Sequence, residues 1–130
     1  MIRTKSVYSP IHRPEDGLRI LITRFRGHGL KSSRYDVWMA NLAPSERLLR
    51  SFWNEEITWS NFARGYRREL KEGGTIDRRN KTIKNHGQKF TLRLIQTLGR
   101  KGTITLMCHC EENQHRCHRF ILQSVLNGNV

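Results

Sequence analysis

Two short runs constrain this chain more than anything else in it. Leu18 to Phe25 (LRILITRF) and Thr103 to Met107 (TITLM) are apolar with little interruption and lie far apart in the sequence. Strands without strict in/out alternation are buried on both faces, as parallel strands are when other layers cover them. Parallel neighbours need a long crossover connection, and the intervening sequence supplies one. Pro44 followed by Ser45 opens a helix with Leu48, Leu49 and Phe52 as its apolar stripe. Thr58 is a good N-cap for the next helix. Trp59, Phe62, Ala63, Tyr66 and Leu70 follow at helical spacing, and Gly73-Gly74 stops it. Phe90 to Leu98 predicts a third helix with Phe90, Leu94, Ile95 and Leu98 inward, and Cys117 to Leu126 a last one. Ile2 to Tyr8 is β-prone, and Tyr35 to Leu42 predicts a helical turn or two. The expected fold is one α/β domain over residues 1–130, a three-layer sandwich with a small, mostly parallel sheet in the order β-β-α-α-α-β-α.

In such sheets ligands bind beyond the carboxyl ends of the strands. Arg24, Arg26 and His28 follow the first run. The second leads into CHCEENQHRCHR, which holds Cys108, Cys110 and Cys117 with His109, His115 and His118. Cysteines crowded this closely cannot staple distant segments, so reduced thiols are expected. Three chemistries fit them. Zinc would use Cys108, Cys110, His115 and Cys117, but a single residue between Cys108 and Cys110 is shorter than the usual two to four. The expectation is therefore no cofactor, with zinc as the conditional alternative. A nucleophilic or redox thiol would be Cys117, near a helix N-terminus that favours the thiolate, with His118 and Arg119 adding to the field. The same helix start with Arg119 is also an anion site suited to phosphate. Against all three, cysteine is among the most commonly buried residue types, and core packing alone would explain Cys108 and Cys117.

Charge narrows the partners. The chain carries 24 basic and 11 acidic residues, a formal net charge of +13. That excess opposes compaction by self-repulsion unless a polyanion or counterions relieve it. Arg64, Arg67, Arg68 and Lys71 lie on the outer face of the second predicted helix, as a solvated face or a phosphate track. Thr75 to Lys89 is nearly devoid of apolar residues and reads as a flexible basic loop, with Arg78, Arg79, Lys81 and Lys84 as anion-binding candidates. Trp38, Trp53 and Trp59 are expected as core anchors ahead of base-stacking platforms. No phosphate-loop, dinucleotide or metalloprotease signature is present. There is no membrane-length apolar run and no signal-peptide core, so a cytoplasmic protein is expected.

The order of these features resembles the family called domain of unknown function 488, in its YeaO-like branch. The residues that carry the likeness are Pro14-Glu15-Asp16-Gly17, Arg19 to Arg24, Gly29-Leu30, Trp38, Leu42-Ala43-Pro44-Ser45, Trp59, Phe62, Tyr66 to Leu70 and the Gly102 to Leu106 run. Thr23 and Phe25-Arg26 depart from that branch. Cys108 or Cys110 with Cys117-His118-Arg119 instead resembles the broader family, which has a cysteine at the strand end and Cys-His-Arg at the helix start. The resemblance implies a compact three-layer α/β domain and no particular activity. The leading functional expectation is nucleic-acid or nucleotide binding at an anion site on the sheet's carboxyl edge, acting on a base or phosphate. The alternatives are a small rhodanese-like or redox thiol enzyme centred on Cys117, and a non-catalytic interaction domain.

Overall fold

A computed structural model describes residues 1–71 and 88–128. Gly73-Gly74 and the basic candidates Arg78, Arg79, Lys81 and Lys84 lie outside the described residues. The elements are β1 (Ile2–Ser6), β2 (Leu18–Leu21), β3 (Val37–Trp38), α1 (Glu46–Trp53), α2 (Trp59–Lys71), α3 (Lys89–Lys101), β4 (Ile104–Cys108) and α4 (His118–Leu126). The four strands form one sheet in the order β1-β4-β2-β3, and every pairing is parallel. The α/β expectation holds.

β4 is the hub. It pairs with β1 from Ile2↔Ile104 to Ser6↔Cys108, and with β2 from Leu18↔Ile104 to Leu21↔Met107. Partners on both edges and cover on both faces leave all five of its residues buried, which is why its sequence does not alternate. Ile104 and Leu106 join Ile20 and Ile22 in a core packed by residues from all four helices, including Leu49, Phe62, Tyr66, Leu92, Ile95 and Leu122. The opposite face carries Val7, Leu21, Leu30 and Met107 under a layer of loops and short 3-10 turns. Two ion pairs stiffen that layer. Lys5 Nζ lies 3.1 Å from Asp16 Oδ1, and Arg19 Nη2 lies 3.0 Å from Asp36 Oδ1.

Ser45 caps α1 by accepting the Leu48 amide, and Thr58 accepts the Asn61 amide at the start of α2, as capping side chains do. Two expectations need correction. Val37–Trp38 in the Tyr35 to Leu42 stretch forms an edge strand on β2, and only Ala40–Leu42 makes a turn, of 3-10 type. In α3 the inward residues are Leu92, Ile95 and Gly99, whereas Phe90, Leu94 and Leu98 are exposed. The cause is close approach. A Cβ at Gly99 would lie 2.5 Å from Ile2 Cδ1, so the helix meets β1 on its glycine side. A second apolar stripe, at i, i+4 and i+8, is left facing out.

Among the described residues, no helix is long and apolar enough to cross a membrane.

Candidate functional site

The carboxyl ends of β2 and β4 and the start of α4 meet at one open cleft. One wall is aromatic and comes from the α1–α2 pair. Trp59 stacks on Phe62 at 5.3 Å between ring centroids, and Phe52 packs on both at 5.6 and 4.9 Å. Trp53 and Phe25 extend this wall to the rim and are substantially exposed. The opposite wall is Cys108, His109, Cys110, Arg116, Cys117 and His118. Only the Trp59–Phe62 pair is stacked, while Phe52 is tilted against both, arrangements that aromatic pairs prefer.

Local backbone logic sets each thiol in place. Cys108 is the last residue of β4 and points to the helical side like Leu106 and Ile104. Cys110 lies two residues further along the chain, and Cys117 is the N-cap of α4. The Cys108 and Cys117 sulfurs are 2.9 Å apart, and all three sulfurs lie within 4.8 Å of one another. Cys108 and Cys117 are buried, while Cys110 is half-buried. Hydrogen bonds from Cys108 and then Cys117 draw the Cys110 thiol well below its ordinary range. Donating to Cys110 and to Cys117, together with burial, pushes Cys108 far up. The bond from Cys108 pulls Cys117 down, but donation to Cys110 and burial outweigh it, and Cys117 ends above its ordinary value.

Two neighbours are buried with it. Burial lowers the His118 imidazole below its ordinary value, outweighing its bond to a carbonyl. Its Nε2 lies 2.6 Å from Ile22 O, so the neutral ring donates there. Tyr66 meets that ring edge-on and donates its hydroxyl to Leu42 O. The Arg119 guanidinium is 1% exposed. Its Nη2 donates to Glu111 O at 3.2 Å and Glu112 O at 2.9 Å, and the group sits 4.7 Å over the Phe120 ring. Its Nε and Nη1 have no hydrogen-bond partner, with Glu112 Oε2 standing 3.7 Å from Nη1.

The other residues singled out from sequence are dispersed. Arg24 lines the cleft but is buried, donating to Ala43 O and Pro44 O. Arg26 donates to Tyr35 Oη and Leu30 O. His28 and His115 are exposed, and His115 is not part of the thiol group. Sequence reading did not bring Phe52, Trp53 and Trp59 together opposite the cysteines, and it gave His109 no role, though its ring bridges Tyr8 Oη at 3.3 Å and Phe25 O at 3.1 Å.

The family described as the active DUF488-N3 subclade matches residues 2–130. Proteins of Mycobacterium tuberculosis and Mycobacterium bovis described as uncharacterized are 27% identical to this chain over 129 residues, covering 98% of it and 94% of their own length. No solved structure matches significantly.

Proposed function

This chain belongs to the DUF488 family, and from that footing we propose that it binds nucleotide or nucleic acid, seating a base in the aromatic cleft with the thiol trio as the reactive wall. The observation that carries the reading is the cleft's make-up, a cluster of packed aromatics and thiols lining one cleft at the carboxyl edge of a parallel sheet. A nucleobase offers two π-faces to such a cleft, and stacking tolerates any base sequence. The net charge of +13 favours a polyanionic substrate. Arg116, exposed and lining the cleft, takes the phosphate position, whereas Arg119 is buried and acts from below. Arg24 and Arg26 position the loop beyond β2 through their carbonyl contacts.

The test is a titration with short single-stranded DNA and RNA and with mononucleotides at about 100 mM salt. Binding that weakens linearly on a log–log salt plot is expected. No detectable binding, or binding indifferent to salt, would sink the proposal.

A further inference from the structure

We propose that Cys108, Cys110 and Cys117 hold a thiophilic divalent ion, zinc in the first instance, as a three-thiolate site whose fourth position opens onto the aromatic cleft. This deepens the reading above by naming what the reactive wall contains.

The first argument is convergence. Two elements and the bend between them bring three sulfurs within 4.8 Å of one another. Tetrahedral zinc with bonds of about 2.3 Å places its sulfurs about 3.8 Å apart. The Cys108 and Cys117 sulfurs are 2.9 Å apart, and all three lie within 4.8 Å of one another, compact enough for one ion. Opening that pair by about 1 Å is within reach of side-chain rotation alone. The one-residue spacing that argued against zinc in the sequence loses its force here. The strand ends at Cys108, and the bend at His109 and Cys110 brings the third thiol to the other two, so no knuckle spacing is needed.

The second argument is what the trio lacks. Among the described residues, no fourth histidine, cysteine or carboxylate joins it, and His115, the fourth ligand expected from spacing, is exposed. Three protein ligands with an open position is the pattern of catalytic zinc, while structural sites are closed by four. The three cysteines line the cleft, so the open position would face a bound molecule.

The third argument is charge. Three thiolates and a divalent cation sum to about −1, by the formal charges of the ligands and ion. The compensating cation is in place, since Arg119 is buried, two residues beyond Cys117 and short of acceptors at Nε and Nη1. A buried guanidinium without full partners is costly. An anionic metal–thiolate centre beside it offsets that cost. Outer partners of this kind tune the basicity of metal-bound ligands.

The experiment uses the full chain, purified without chelator and kept reduced with a phosphine. Metal analysis should find about one zinc per chain, the stoichiometry of a single tetrahedral site. Exchange with cobalt(II) should produce thiolate-to-cobalt charge transfer in the near ultraviolet and strong tetrahedral bands in the visible. Cys110→Ser, at a half-buried position that should not prevent folding, should lose both the zinc and the charge transfer with an unchanged circular dichroism spectrum. Added imidazole should shift the visible bands of the cobalt form if the fourth position is open. Metal-free protein without cobalt–thiolate bands overturns the site, and bands indifferent to imidazole overturn the open position. Oligonucleotide titration of the same preparation separates the two ideas, because zinc without binding removes only the base-binding reading.

Discussion

Trp53→Ala separates binding from folding better than any other change in the cleft. Trp53 is the last residue of α1, lines the cleft and is 58% exposed. Its neighbours on the same wall are poor probes. Phe62 is 2% exposed within the main core, and truncating such a residue costs about 3–5 kcal/mol of stability. Trp59 stacks directly on it. Trp53, largely outside the core, should cost no more than about 1 kcal/mol to truncate, in the range of exposed substitutions away from special features. A base stacked on it would lose about 1–3 kcal/mol, a factor of roughly 5 to 150 in affinity. The assay is fluorescence anisotropy with a labelled single-stranded oligonucleotide, which needs no tryptophan signal, run beside urea melts. The salt slope should not change, because it reports phosphate contacts and not stacking. An affinity within twofold of the parent, with coincident melts, would refute the placement of a base against this wall.

Acid should loosen the layer opposite the helices. Burial pushes the Asp16 carboxyl up, but the His12 amide and the Lys5 ammonium outweigh it, so its value lies below the ordinary carboxylate range. A depressed carboxylate stabilises above its unfolded value near pH 4 and loses that contribution as pH falls through the folded value. Urea midpoints should therefore drop below about pH 4, and Asp16→Ala, which strands Lys5, should cost about 3–5 kcal/mol at neutral pH. If that variant melts like the parent at neutral pH, the pair is not a structural tie. Gly17 has φ +61°, and a Cβ there would lie 2.0 Å from Thr103 O. Gly17→Ala should thus destabilise by about 2 kcal/mol or more, and an unchanged thermal melt would show that the Gly17–Thr103 contact yields cheaply.

Much of the fold was legible because local patterns and tertiary demands agreed. The two apolar runs became β2 and β4, and Ser45 and Thr58 became the caps of α1 and α2. Where they disagreed, sequence reading failed for identifiable reasons. α3 offers two apolar stripes, and periodicity cannot choose between them. The choice was made by Gly99 against Ile2. Val37–Trp38 is too short to read as a strand and exists because β2 offers it a free edge. Arg24 resembled a ligand-binding cation, yet it is buried in bonds to Ala43 and Pro44 carbonyls that no local pattern encodes.

The same division runs through the site. The crowding of Cys108, Cys110, His115, Cys117 and His118 along one segment was enough to single out the end of β4 as the candidate site, because a strand end followed by a helix start puts those residues at the sheet's open edge. Which of them converge is a matter of three dimensions. β4 hands Cys108 to the N-cap of α4, so the trio closes on itself and leaves His115 in solvent. The aromatic wall opposite comes from residues 52 to 62, far from the cysteines in the chain. Sequence spacing carries information about neighbours along a strand or helix. The facing walls of a cleft are set by how separate elements pack, and only the tertiary structure decides that.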